Sequence, residues 1–200
     1  MRYICVYCGS QAGTDRRYRQ AASAMGQLLA KRGYGLVYGG GHVGLMGIVA
    51  EAVLAAGGSV IGVIPEAMVG RELAYQQVTQ LEVVPTMHER KARMASLADA
   101  FIAMPGGYGT LEELIEIITW AQLGIHAKPI GILNVSGYFD ALAAMIEHAF
   151  QEGFIRDEHR HFWVLRAEPA ALLEALWQHQ MPPVRPWQER GAQGQLSDLI

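Results

Sequence analysis

Short apolar runs rich in β-favouring residues alternate with longer helical patterns along nearly the whole chain, and this alternation limits the fold more than any single motif. Strand patterns fall at 2–7, 35–38, 59–64, 82–84, 100–104, 130–134 and 163–165. Helical patterns lie between or after them at 16–31, 45–56, 87–98, 111–123, 138–152 and 169–178. Several of the strands are apolar on both faces, as strands covered on both sides are. Strand–helix alternation of this kind predicts an α/β fold, a parallel sheet with helices on both faces. In such a sheet ligands bind at the carboxyl ends of the strands.

With 200 residues, 51% of them hydrophobic, the chain can bury one sizeable core. A single domain over 1–181 is expected, followed by a flexible tail over 182–200 that is rich in Pro, Gly and Gln. The mean hydropathy of +0.13 is high. Even so, no run approaches the roughly 18 apolar residues of a membrane span. The excess is expected in a covered sheet or a subunit interface, with no membrane partner. A net charge of −3 gives no basic face for nucleic acid, so an anionic ligand has to be held locally. The first residues read as a strand with no signal-peptide core, which makes the cytoplasm the expected location. Cys5 and Cys8 form C-x-x-C inside that strand, where a period of two sends them to opposite faces. They are expected to be structural. No histidine spacing suits a metal, and none is assigned.

Three loops follow strands. Gly9-Ser10-Gln11-Ala12-Gly13 is small enough to admit a ligand to the backbone, and Ser10 adds a hydroxyl. Gly39-Gly40-Gly41-His42-Val43-Gly44-Leu45-Met46-Gly47 matches G-x-G-x-x-G before a helix, but it follows the second strand rather than the first. It has no Lys-Ser/Thr and is not a Walker A loop; His42 is expected to face solvent. Pro105-Gly106-Gly107-Tyr108-Gly109-Thr110-Leu111-Glu112-Glu113 follows the most apolar strand and is the best phosphate nest in the chain. Thr110 can cap the helix expected from 111. Glu113 has two readings. Thr110-x-x-Glu113 is a capping box. Alternatively, a carboxylate beside a phosphate site serves a developing cation or a water. Local sequence leaves both open.

The helix after Thr86 carries Met87, Met94 and Leu97 on one stripe, with Arg90 and Lys91 between them. Thr86-x-x-Glu89 reads as a capping box. Two cations on a core-directed stripe call for a phosphate or carboxylate partner. Arg93 falls off the stripe and reads as a surface charge. Glu72 lies in the loop after the third strand.

Taken together, C-V-Y-C-G-S, V-Y-G-G-G-x-x-G-L-M-G, R-E-L, M-H-E-R-K-A, P-G-G-Y-G-T-L-E-E and I-T-W-A-Q-L-G-I-H resemble the LOG family. Its members are cytokinin riboside 5′-monophosphate phosphoribohydrolases, often mislabelled lysine decarboxylases. The resemblance runs from about Ile4 to Leu165. It implies a Rossmann-like fold, a homodimer and no cofactor. It also implies catalytic roles for Arg90 and Glu113. Substrate contacts are implied from Glu72, Arg90, Lys91, Gly107, Tyr108, Gly109, Thr110, Leu111, Glu112, Glu113 and Thr119, with Ser10, Gly41 and Met46 added from the other glycine loops. The expected reaction splits the N-glycosidic bond of AMP or an N6-substituted AMP into free base and ribose 5-phosphate. Two other readings compete: an NAD-dependent oxidoreductase, resting on G-x-G-x-x-G alone, and a non-catalytic nucleotide carrier or sensor. No lysine stands in a context that suggests a pyridoxal phosphate Schiff base.

Overall fold

The computed structural model describes residues 1–70 and 74–183. Its strands are β1 (Arg2–Tyr7), β2 (Tyr34–Tyr38), β3 (Val60–Pro65), β4 (Gln80–Val84), β5 (Ala100–Ala103), β6 (Ile130–Leu133) and β7 (Trp163–Arg166). Its helices are α1 (Arg16–Lys31), α2 (Gly44–Ala55), α3 (Met87–Leu97), α4 (Tyr108–Gln122), α5 (Asp140–Gln151) and α6 (Pro169–Gln178). The strands form one sheet in the order β4-β3-β2-β1-β5-β6-β7. Every neighbouring pair is parallel. This is the expected Rossmann-like arrangement. The chain runs outward from β1 to β4, then returns to the other side of β1 with β5. The loops after β1 and β5 therefore diverge at a topological switch point.

Period-two alternation along β1 divides the core in two. Ile4, Val6 and Cys8 join the residues of α1, α2 and α6 on one face. Cys5 and Tyr7 join those of α3 and α4 on the other. Both cysteines are free and buried, on opposite faces as expected. Burial first, and the charge of Glu113 second, push both thiols well above the usual range.

Side-chain chemistry sets several helix ends. Asp15 caps α1 by accepting the Arg17 N–H at 2.9 Å. Thr86 caps α3 by accepting the Glu89 N–H at 3.2 Å, and its hydroxyl donates to the Glu89 carboxylate at 3.1 Å. The Thr86 half of the expected capping box forms, while Glu89 answers the Thr86 hydroxyl in place of its backbone N–H. Pro169 opens α6, where its missing N–H loses nothing. Arg93 is more than a loose surface charge, since it grips Glu82 on β4 at 2.6 and 2.9 Å.

Two helices begin two or more residues from where the sequence predicts. α5 starts at Asp140, because Asn134 accepts the Phe139 N–H at 2.7 Å and turns the chain first. α4 starts at Tyr108, three residues before the expected 111. Of the segment expected to be a tail, Pro182 and Pro183 border a cleft with Gly124, His126 and Phe162; 184–200 lies outside the described residues.

Candidate active site

The three glycine loops meet at Gly9. Its N–H donates to the Pro105 carbonyl at 3.0 Å, and its carbonyl accepts from the N–H groups of Leu45 and Met46 at 2.9 and 3.3 Å. One residue thus ties the carboxyl ends of β1 and β5 to the start of α2. Above it opens a cleft of about 280 Å³ lined by Ser10, Gln11, Tyr18, Leu45, Gly106, Tyr138 and their neighbours. The cleft sits at the switch point, where a ligand of such a sheet belongs.

The start of α4 forms one wall. Gly107 is its N-cap, in extended conformation at φ −91° and ψ −155°, with no side-chain cap and no acidic residue in the first turn. The first helical bond runs from the Leu111 N–H to the Gly107 carbonyl at 3.1 Å. The N–H groups of Tyr108, Gly109 and Thr110 have no carbonyl one turn earlier inside the helix. This overturns the capping-box reading of Thr110 and Glu113. Thr110 is the third helical residue and is buried under Gly106, not flanking the helix as an N-cap must. Glu113 stands one turn too late to complete a box. The α4 start keeps its positive end uncapped.

Gly107 and Gly109 have negative φ or ordinary helical geometry, and a Cβ at either would meet nothing within 4 Å. Neither backbone strain nor protein packing requires glycine there. The space above both residues is open to a ligand that approaches the backbone.

Arg90 enters from α3 and is only 6% exposed. Its Nε donates to the Val63 carbonyl at 3.2 Å and its Nη2 to the Gly39 carbonyl at 3.1 Å. Its Nη1 lies 3.3 Å from the Met87 sulfur. A Cβ on Gly39 would fall 1.8 Å from Nη2, so this glycine is what admits the guanidinium. Glu113 comes from the second turn of α4. The two charges act on the same thiol: Glu113 raises the pKa of Cys5 and Arg90 lowers it. Arg90 and Glu113 thus come from two helices, α3 and α4, that pack on the same face of the sheet as Cys5.

The remaining candidates divide. Gly41 is buried in the loop after β2 and pairs with Ala74 in an antiparallel bridge, and Met46 is buried in the first turn of α2. Ser10 is exposed on the cleft. Tyr108 is 93% exposed at the mouth of the nest, and Leu111 is half-buried behind it. Lys91 finds its carboxylates within the protein, pairing with Glu112 and with Glu116 at 2.9 Å. Burial would lower its pKa, but the two hydrogen bonds outweigh that and raise it. Thr119 donates to the Ile115 carbonyl at 2.7 Å, about 18 Å along α4 from Gly107. Glu72 lies outside the described residues. His42 is exposed, as expected, but not free: it stacks on Tyr75 with ring centroids 4.1 Å apart and bonds Glu51 at 2.7 Å. Sequence reasoning missed Tyr18 and Tyr138, which wall the cleft; Gly137-Tyr138 after a strand was the available signal.

Comparison with known proteins identifies the family. The family model described as "possible lysine decarboxylase" matches residues 46–176. A probable cytokinin riboside 5′-monophosphate phosphoribohydrolase of Oryza sativa subsp. japonica is 54% identical, over 88% of this chain and 77% of its own. A cytokinin riboside 5′-monophosphate phosphoribohydrolase of Arabidopsis thaliana is 51% identical, over 86% of this chain and 81% of its own. The chain belongs to the LOG family. Among solved structures, the molybdenum cofactor carrier protein of Chlamydomonas reinhardtii superposes with a TM-score of 0.68 at 21% identity, over 88% of this chain and 96% of that one. At that identity the likeness concerns the fold alone. The decarboxylase description of the LOG family model finds no lysine to support it. The chain has three: Lys31 is exposed at the end of α1, Lys128 donates to the Ala95 carbonyl, and Lys91 is bound to two carboxylates with its pKa raised. A Schiff-base lysine needs the opposite shift.

Proposed function

We propose that this protein hydrolyses the N-glycosidic bond of AMP or an N6-substituted adenosine 5′-monophosphate, releasing free base and ribose 5-phosphate. The observation that carries the reading is the uncapped start of α4, with open space over Gly107 and Gly109 and Glu113 in the second turn of the same helix. The names of the relatives supply the same reaction. The N–H groups at the helix start hold the 5′-phosphate, as helix N-termini hold anions. As the C1′–N9 bond breaks, its electrons leave with the base and positive charge grows on the ribose. The Glu113 carboxylate stabilises that charge and orients the water whose oxygen bonds to C1′. The proton lost by the water balances the one gained by the base. Arg90, anchored on two carbonyls, is the cation that holds Glu113 and the ribose in place. No cofactor takes part. A carrier would gain nothing from a carboxylate next to its phosphate site, since the two repel.

We further propose that the enzyme acts as a homodimer through α4. On its outer side and just past its end, Ile115, Leu123 and Ile125 are 42%, 47% and 63% exposed. An apolar stripe of this kind is a contact surface. Thr119 is exposed on the same helix, too far from Gly107 to share one nucleotide with it, so a Thr119 contact belongs to the site of a facing copy. A cytoplasmic setting suits the two free thiols. No described helix is long and apolar enough to cross a membrane.

Base release followed by chromatography tests the reaction. AMP or N6-isopentenyl-AMP is expected to be cleaved at least about a hundredfold more efficiently than the matching nucleoside, because the phosphate contacts are charge-assisted. Equal kcat/KM for AMP and adenosine refutes the nest as phosphate site.

A further inference from the structure

The phosphate nest leans on a residue from outside its own loop. Tyr138 follows β6, and its hydroxyl donates to the Gly106 carbonyl across 32 residues of sequence. Its neighbours hold it firmly. Asn134 accepts the Phe139 N–H at 2.7 Å and donates to Asp140 at 2.7 Å; Phe139 is buried. Gly137 makes the turn at φ +75°. The Tyr138 ring meets Tyr18 edge-on at 5.7 Å and Phe139 at 5.0 Å. A fixed hydroxyl is therefore delivered to one carbonyl on the rim of the cleft.

That carbonyl belongs to the peptide joining Gly106 and Gly107. In a trans peptide the C=O and the following N–H point in opposite directions. Fixing the Gly106 carbonyl toward Tyr138 turns the Gly107 N–H away from it. The flanking residues are both glycine, and glycine accepts φ of either sign, so local sterics scarcely hold the plane. On one side the preceding carbonyl, of Pro105, is already taken by the Gly9 N–H at 3.0 Å. On the other the helix begins. The carbonyl of the plane between them is the one that Tyr138 holds.

We infer that Tyr138 is a positioning residue that locks the Gly106–Gly107 peptide with its N–H facing the phosphate. When the peptide flips, a carbonyl oxygen meets the phosphate and the nest loses a donor and gains a repulsion. On this inference Tyr138 acts through the peptide it holds, not through the sugar or the base. Its effect is confined to substrates that carry the phosphate.

The inference rests on the α4 start being the phosphate site. The test compares wild type with Tyr138→Phe, which keeps the ring and its stacking, by calorimetric titration with ribose 5-phosphate and by kinetics on AMP and adenosine. Expected are ribose 5-phosphate affinity reduced about tenfold, KM for AMP raised by a similar factor with kcat changed less than about threefold, and the residual adenosine rate unchanged. Tyr138→His, whose ring N–H can donate, is expected to recover part of the affinity. Wild-type affinity in Tyr138→Phe overturns the inference while leaving the phosphate site standing. So does an equal loss on AMP and adenosine with a melting temperature lowered by more than about 5 °C, which makes the bond merely structural. A wild type that fails to bind ribose 5-phosphate removes the phosphate site and the inference together.

Discussion

The two glycine loops, Gly39–Gly47 and Gly106–Gly109, look alike in sequence and do opposite things. In the first, the protein itself fills the space that glycine leaves. A Cβ on Gly39 would strike Arg90 at 1.8 Å, one on Gly44 the Ser10 backbone at 2.3 Å, and one on Gly47 the His42 carbonyl at 2.1 Å. Gly40 and Gly44 also sit at φ +79° and +64°. In the second, Gly106 is packed in the same way against Thr110, but Gly107 and Gly109 face nothing within 4 Å. Glycine in the first loop is an internal requirement of the fold. Glycine at 107 and 109 leaves room for something outside the chain. The formal dinucleotide fingerprint thus lies in the loop whose glycines are already used, and the nest lies in the loop that matches no such fingerprint.

The largest effect expected on the open side of this comparison is at Glu113. With the capping box gone, Glu113→Gln removes charge without removing a helix cap. Turnover is expected to fall by roughly two to four orders of magnitude, with the melting temperature near that of wild type. Ribose 5-phosphate should bind as well or slightly better, because a negative charge near the phosphate is gone. A folded variant with near wild-type kcat leaves the open loop a binding site without chemistry.

A matched pair of alanines sharpens the contrast itself. Gly109→Ala places a methyl in open space at the second helical position. Stability should rise by about 0.5–1 kcal/mol, since alanine is the better helix former, while KM for AMP rises roughly tenfold or more. Gly44→Ala should do the reverse. The left-handed backbone alone costs about 1–2 kcal/mol, and the collision with Ser10 adds to it, so the melting temperature should fall by about 5 °C or more. Thermal melts and steady-state kinetics on both variants read this directly. If Gly109→Ala melts early, or Gly44→Ala is as stable as wild type, the two loops do not differ as described.

What could be read from sequence follows the same division. The ends of α1 and α6 were legible because Asp15 and Pro169 announce them, and the Thr86 box because Thr86 does cap α3. The start of α4 was not, because its cap is a glycine with no side chain to read, and Thr110 stood as a decoy three residues on. The stripe after Thr86 showed that Arg90 and Lys91 would be buried, and 6% and 7% exposure agree. It also called for phosphate or carboxylate partners, which Lys91 has in Glu112 and Glu116, whereas Arg90 bonds two carbonyls. Arg90 reaches carbonyls 27 and 51 residues away, and Tyr138 one at 32. Strand order, which no local pattern encodes, creates these contacts.

The smallest effect concerns the far end of α4, where a histidine fixes the turn into β6. A carbonyl can only accept, so His126 Nε2 donates to the Ile117 carbonyl at 2.9 Å, and its Nδ1 must then be the acceptor for the Lys128 N–H at 3.1 Å. Both ring nitrogens are satisfied in the neutral form, and protonation would abolish the second bond. Burial first, and the nearby Lys128 charge last, lower its pKa below the usual value; the bond to Ile117 opposes them. The folded state then binds fewer protons than the unfolded one as pH falls through the unfolded pKa near 6.5. The contribution of His126 to stability is complete above that pH and declines below it, toward the lower folded pKa. The ring is only partly buried, so the expected loss between pH 7.5 and 5.5 is a melting-temperature decrease of no more than about 3 °C. His126→Gln keeps a donor for Ile117 but does not titrate, and should flatten that part of the profile. Because His126 is remote from the nest, KM for AMP over the same range should be the same in the variant and the wild type. A His126→Gln profile as steep as wild type assigns the proton to another group, and a change in KM ties this turn to the open loop.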